Sequence, residues 1–152
     1  MVDMPGMLER MIKIRRGRRT DEAALEILLS PVTRTDSAKA QVRHWRRLAS
    51  DPRLDFYVAE HDDGSIQGVV LVCYIRQLRV SGWEAVLDIA VHPAAASTIG
   101  QILLDFAKAR ARKRGCQQLR LYIPYASRDQ HYGFLAQAGF VPTGDVLSCG
   151  LG

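Results

Sequence analysis

Trp83-Glu84-Ala85-Val86-Leu87-Asp88-Ile89-Ala90-Val91-His92-Pro93, followed by Ala94-Ala95-Ala96-Ser97-Thr98-Ile99-Gly100, is the segment from which the architecture follows. Alternation puts Trp83, Ala85, Leu87, Ile89 and Val91 on one face of a strand and Glu84, Val86, Asp88, Ala90 and His92 on the other. Two carboxylates therefore share a face. Pro93 stops the strand, Ala94 to Thr98 form a tight link, and Ile99, Ile102, Leu103 and Phe106 mark the apolar stripe of a helix ending at Gly115. A strand that runs through a small turn onto a helix N-terminus is a ready site for phosphates, because the leading N–H groups of the helix point outward unpaired.

The flanking segments extend this unit in both directions. Downstream, Gln118 to Pro124 alternates as another strand, Ser127 to Ala138 reads as a short helix capped by Gly139, and Phe140 to Leu151 is expected to supply closing strands. Upstream, Met11 to Arg15 alternates like a strand. Thr20-Asp21-Glu22 reads as the cap of a helix ended by Pro31, and Asp36 caps a second helix carrying Val42, Trp45 and Leu48 on one side. Leu54 to Glu60, the Asp62-Asp63-Gly64 turn and Ile66 to Leu78 form a hairpin. A meander of strands followed by a strand-helix-strand crossover predicts an α/β (α+β) fold: a mixed, mostly antiparallel central sheet flanked by helices on both faces. One domain over residues 1–152 is expected, with residues 1–10 as a leader frayed around Pro5 and Gly6.

Composition narrows the function classes. An apolar share of 47% suits a globular core, and 21 Lys plus Arg against 16 Asp plus Glu give +5, enough to attract anions but short of a basic nucleic-acid tail. Cys73, Cys116 and Cys149 lack any CxxC or Cys/His spacing, so no metal site and no disulfide framework is expected. The apolar run Gly68 to Ile75 is too short to span a bilayer and Met1 to Arg10 lacks a signal-peptide core, so the expectation is a cytoplasmic protein without a membrane partner.

Four blocks carry a resemblance: Leu87-Asp88-Ile89-Ala90-Val91-His92-Pro93, Ile99-Gly100-Gln101-Ile102-Leu103-Leu104, Arg114-Gly115-Cys116, and Phe134-Leu135-Ala136-Gln137-Ala138-Gly139-Phe140. In order and spacing the chain resembles the GCN5-related N-acetyltransferase (GNAT) superfamily from Ile12 to its C-terminus. Gly82-Trp83-Glu84-Ala85 and Arg128 look like small-amine acetyltransferases within it, such as those acting on aminosugar phosphates or aminoalkylphosphonates. The resemblance implies acetyl-CoA as cosubstrate. Its pyrophosphate would lie on Ser97, Thr98, Ile99 and Gly100, its pantetheine arm along Ile89, Ala90 and Val91, and Arg128 would join the binding residues. It also implies a small-molecule amine as acceptor and carries the expectation of a homodimer.

Two departures stand out. The family places an Arg or Gln and two further glycines ahead of the glycine that Gly100 matches, where this chain has Ala94 to Ile99, and the family's common tyrosine falls on Leu135. Ser97 and Thr98 hydroxyls would replace some donors, or one of them simply caps the helix. Tyr132, one helical turn before Leu135, is the candidate for protonating the leaving thiolate. The amine must lose a proton, and Glu84 and Asp88 are the candidate bases; the other reading of the pair is a solvated face or partners for arginines. Arg43, Arg46 and Arg47 on the second helix would suit an anionic acceptor or be an ordinary amphipathic face. Lys108, Arg110, Arg112, Lys113 and Arg114 would meet a nucleotide phosphate or form a solvated helix face. The leading reading is an N-acetyltransferase working by direct attack in a ternary complex. The alternative is a catalytically impaired module of the same fold that senses CoA or binds a protein partner; nucleic-acid binding ranks last.

Overall fold

A computed structural model describes residues 6–7, 10–29, 37–122, 128–144 and 146–152, with the side chains of 128–132 outside that set. The expected leader, the expected Asp36 cap and the Pro31 stop fall largely outside these residues.

Strands β1 (Ile12–Arg16), β2 (Asp55–His61), β3 (Ile66–Ile75), β4 (Glu84–Val91) and β5 (Leu119–Leu121) form one five-stranded sheet in that order. The first four are antiparallel, and β5 runs parallel to β4, as a crossover through a helix requires. Helix α1 (Glu22–Leu28) follows a 3-10 turn at Arg19–Asp21, and α2 (Ala38–Ser50) is capped by Ser37, whose Oγ accepts the Ala40 N–H at 3.2 Å. Helix α3 (Ala96–Lys113) is the crossover between β4 and β5, and α4 (Arg128–Gln137) follows β5.

The strand pattern gives the sheet two apolar faces, each covered by helices. On one face Val70, Val72, Ala85, Leu87 and Val91 pack against Ile99, Leu103, Leu104 and Ala107 of α3 and Phe134, Leu135 and Ala138 of α4. On the other, Phe56, Val58, Val69 and Ala90 pack against Leu25 of α1 and Trp45 of α2, with Trp45 stacked on Phe56. Gly68 lets α3 settle onto β3: a Cβ there would come within 2.7 Å of Leu103 Cδ1. Glycines also end the helices beside the crossover. Gly115 (φ 82°) and Gly139 (φ 91°) take the left-handed conformation, and Cys116 N–H closes on Ala111 O while Phe140 N–H closes on Leu135 O, each at 3.0 Å.

Two charge clusters tie elements together. Arg15 forks onto both oxygens of buried Asp21 at 2.8 and 2.9 Å and reaches Glu60 at 2.6 Å. Asp21 also accepts the Arg18 N–H at 2.7 Å, so it braces the 3-10 turn. Asp55, 1% exposed, gathers Arg110 at 2.9 Å, Arg114 at 3.3 Å and the Tyr74 hydroxyl. Burial alone would raise the Asp55 carboxyl, but these hydrogen bonds outweigh it and hold it below the usual range. Burial and the Asp55 hydrogen bond push the Tyr74 phenol up.

Two expectations need correction. Arg110 and Arg114 are not spent on solvent or a nucleotide: they turn back onto Asp55 at the C-terminal end of α3, about 21 Å along the axis from Ala96. The closing strands are absent among the described residues beyond Phe140. Pro142, Gly144 and Gly150 interrupt that segment, and Val141, Leu147 and Leu151 are exposed, 70%, 94% and 97% respectively, with no facing strand to cover them.

Candidate active site

Among the described residues, the sheet opens where the chain crosses over. β4 pairs with β3 along its whole length, from Glu84 opposite Ile75 to Val91 opposite Gly68. On its other side it pairs with β5 only at Ala85, Val86 and Leu87, opposite Leu119, Arg120 and Leu121. Among the described residues, the edge of β4 from Asp88 to Val91 has no strand beside it. Ile89, Ala90 and Val91, the expected pantetheine residues, are this edge. Its N–H and C=O groups offer an amide-bearing ligand the pairing a further strand would make.

The edge leads into the N-terminus of α3. His92 Nδ1 accepts the Ala94 N–H at 3.3 Å, starting a 3-10 turn at Pro93–Ala95 that continues into the helix at Ala96. The turn uses the Ala96 N–H on Pro93 O, and Ala95, the N-cap residue, gives no side-chain cap. Ser97 and Thr98 lie inside the first turn rather than ahead of it, so neither caps the helix as the alternative reading had it. Their backbone N–H groups belong to the set that a helix start leaves without intrahelical acceptors. Among the described residues no non-glycine takes a positive φ, so the turn forms without the glycines that the family pattern places there. Gly100 has a packing reason: a Cβ would stand 2.8 Å from the Phe134 ring. It seats α4 against α3 close behind the helix start.

The two candidate carboxylates have different surroundings. Glu84 is 4% exposed and paired through Oε1 with Arg120 Nε, and its Oε2 has no hydrogen-bond partner among the described residues. It sits at the closed end of the β4–β5 ladder. Asp88 lies roughly 13 Å further along the strand, at the first position past the ladder. No described side chain forms an ion pair with it, and it is open to solvent by area. The protein around it still removes enough water to push its carboxyl above the ordinary range, with the Ile89 N–H pulling partly the other way. An unpaired, raised carboxylate at the mouth of a sheet opening is chemically a proton acceptor. Arg120 escaped the sequence reading, although its alternation in the strand from Gln118 puts it on the Glu84 face once the register is known.

On α4, Leu135 is 2% exposed and sits in the core, so no hydroxyl occupies that position. The side chains of Tyr132, Arg128 and His131 lie outside the described residues; the backbone puts Tyr132 one turn before Leu135. Cys116 is buried. Among the described residues no group of three His, Cys, Asp or Glu is placed to hold a metal ion, and no helix is long and apolar enough to cross a membrane.

A family model, Acetyltransferase (GNAT) family, matches residues 21–140, a span that includes β4, the start of α3 and the four blocks. The chain belongs to that family. Its fold is shared with a transcriptional regulator from Bacillus halodurans C-125, at 23% identity over 92% of this chain and 99% of that one, with a TM-score of 0.79. It is shared with aminoglycoside antibiotic 6'-N-acetyltransferase AAC(6')-Ih from Acinetobacter baumannii, at 17% identity over 93% and 98% of the two chains, TM-score 0.75. A predicted acetyltransferase with acetyl-CoA from Clostridium acetobutylicum is 16% identical over 93% and 97%, TM-score 0.71. No curated protein matches the chain significantly. The resemblance read from the sequence and the mixed α/β fold class are both borne out, and acetyl transfer from acetyl-CoA is the general chemistry of a GNAT protein.

Proposed function

We propose that this GNAT protein is an N-acetyltransferase that moves the acetyl group of acetyl-CoA onto a primary amine of a small molecule, by direct attack in a ternary complex. The observation that carries this reading is the end of the described β4–β5 ladder at Leu87, which leaves Asp88 and the Ile89–Val91 edge open among the described residues, beside a helix N-terminus without a side-chain cap. When bound, acetyl-CoA supplies an activated thioester. The first-turn amides of α3, with the Ser97 and Thr98 hydroxyls beside them, hold the pyrophosphate, and the β4 edge aligns the pantetheine amides. A free N–H on that edge polarises the reacting carbonyl. Asp88 takes the proton from the acceptor amine as its nitrogen forms the new C–N bond and the C–S bond breaks. Glu84, held by Arg120, keeps β4 and β5 together at the closed end instead. Tyr132 protonates the departing thiolate, and Arg128 adds to cosubstrate binding, as the resemblance implies.

The test is calorimetric titration with acetyl-CoA, then steady-state thiol release with a panel of primary amines. One-site binding with turnover of at least one amine is the expected result. Binding without any turnover favours a second reading, a CoA-sensing module, for which the observation is Leu135 buried where the family has its tyrosine. No binding at millimolar ligand sinks both.

A further inference from the structure

The two faces of the sheet are covered to different extents. Directly paired residues of antiparallel strands point to one side, so Phe56, Leu71 and Asp88 form one row across β2, β3 and β4, and Val58, Val69 and Ala90 another, both on the face of α1 and α2. The helices bury the second row and cover the first only in part: Phe56 is buried, Leu71 half-buried and Asp88 open. Toward the closed end the same face carries Cys73 with Val86, then Ile75 with Glu84. Cys73 and Val86 are half-buried, and among the described residues neither packs against either core; Ile75 is 39% exposed. Leu71, Cys73, Val86 and Ile75 thus make an apolar strip, two strands wide, that starts directly opposite Asp88 and runs roughly 13 Å to the Glu84 row.

Cations do not reach this strip. Arg120, opposite Val86 on β5, turns to Glu84 and Gln118 at the closed end. Arg43 and Arg47 stand exposed, about 200° round α2 from Trp45, and so face away from the sheet as an ordinary amphipathic face does. Asp88 is the carboxylate at the open end of the strip, and no described side chain forms an ion pair with it. Its charge is felt at Cys73, whose thiol is raised mainly by burial. Contiguous apolar surface that ends on one unmet polar group has the make-up of a small-ligand groove.

We infer that the Leu71–Cys73–Val86–Ile75 strip holds an apolar substituent of the acceptor, so that the substrate is a primary amine on an alkyl or aryl chain and not an aminosugar phosphate or aminoalkylphosphonate. The inference rests on the acetyltransferase reading, which gives Asp88 its part. The ammonium end meets the Asp88 carboxylate, and the chain lies along the strip, each methylene leaving water for an apolar contact. A phosphate in the same place would lose water against apolar side chains with no described cation free to pair with it. The occupant is fixed by continuity: the strip adjoins the proposed base and opens on the same face.

The experiment offers ethylamine, butylamine, hexylamine and ethanolamine phosphate as acceptors to the full-length protein and to Val86→Thr, which exchanges a methyl for a hydroxyl at nearly constant volume. For the native protein kcat/KM is expected to rise about two- to fourfold per methylene, hence about 15-fold or more from ethylamine to hexylamine, chiefly through KM. Ethanolamine phosphate should be used no better than ethylamine. In Val86→Thr the hexylamine-to-ethylamine ratio should fall by about threefold or more. Cys73 supplies a readout that needs no turnover: its modification by methyl methanethiosulfonate, located by mass spectrometry, should be slowed by hexylamine and not by ethylamine at the same concentration. Equal use of the three alkylamines, a preference for ethanolamine phosphate, or a chain-length preference unchanged in Val86→Thr overturns the inference and leaves the acetyltransferase reading intact. Protection of Cys73 by hexylamine without turnover of any amine upholds the strip as an apolar-amine site while the activity reading fails. Absence of protection together with absence of turnover removes both.

Discussion

The two ends of the β4–α3 unit handle charge in opposite ways. At the closed end, where β4 begins and α3 finishes, every carboxylate is matched: Glu84 holds Arg120, and Asp55 holds Arg110, Arg114 and Tyr74. At the open end, where β4 finishes and α3 begins, no described cation pairs with Asp88 and no side chain caps the helix start. Buried charge in the first place needs partners because desolvation is costly, and those partners lock strands and helix into one register. The second place tolerates unmet groups because water, and in our reading a ligand, can reach them. Residue type alone does not separate the two roles, as Glu84 and Asp88 lie on the same face of the same strand. Partnership does.

Exchanging the roles gives the sharpest test. Asp88→Asn is expected to cut kcat by about 10²- to 10⁴-fold, the usual worth of a positioned base, with acetyl-CoA affinity and Tm little changed. The native profile should lose activity as pH falls through a value above the ordinary aspartate range, because burial raises the Asp88 carboxyl and only its ionised form accepts a proton. That limb should vanish in the Asn variant. The stability sign is the reverse: a fold that raises this carboxyl favours its protonated form, so the neutral Asn variant should not lose stability at pH 7. A full-rate Asp88→Asn enzyme would break the comparison.

Next in size is the closed end. Asp55→Asn is expected to cost about 3 kcal/mol, the low side of what breaking a buried ion pair costs, since about a third of each guanidinium partner is open to solvent and screened. The Asp55 carboxyl is held below the usual range, so its stabilisation is present above the unfolded aspartate pKa and disappears as pH falls through the depressed one. Native protein should thus lose activity on acidification before it loses structure. The variant should show a lower urea midpoint at pH 7 and a flatter stability loss in acid, with acetyl-CoA affinity unchanged. Glu84→Gln follows at about 1.5 kcal/mol, the scale of one charged hydrogen bond, because Arg120 is half exposed. If kcat falls in that variant as it does in Asp88→Asn, the separation of the two carboxylates is wrong.

These contrasts also mark what the sequence could convey. Period-two alternation placed β4 within a residue at each end, and Gly115 and Gly139 announced the ends of α3 and α4, since such signals act between near neighbours. Helices on both faces followed from strand order. The Asp55 cluster did not follow, because its partners stand 55 and 59 residues away, and a basic helix stripe looks the same whether it meets water or a buried acid. Likewise alternation put Glu84 and Asp88 together, but which of them lies under the ladder depends on where β5 stops. The missing closing strands are a failure of local reading: Val141, Val146 and Leu147 are apolar enough for a strand, yet nothing described pairs with them. At the helix start, the serine and threonine looked like a cap, while the 3-10 turn moved the helix boundary ahead of them.

That boundary supplies the smallest and most discriminating prediction. If the backbone of the α3 first turn holds the cosubstrate, hydroxyl loss should matter little: Thr98→Ala is expected to change acetyl-CoA affinity by less than about threefold, under 1 kcal/mol. Ser97→Pro removes an N–H together with a hydroxyl at a first-turn position where proline is sterically accepted, and Ser97→Ala, which removes the hydroxyl alone, is its control. The proline variant should weaken acetyl-CoA by about tenfold while leaving Tm within a few degrees. Calorimetry on these variants separates the possibilities. A large loss in Thr98→Ala with none in Ser97→Pro would mean that side chains have replaced the glycine-rich backbone of the family pattern. The converse would mean that the helix N-terminus suffices, because the donors it exposes belong to every helix start and need no particular residue to make them.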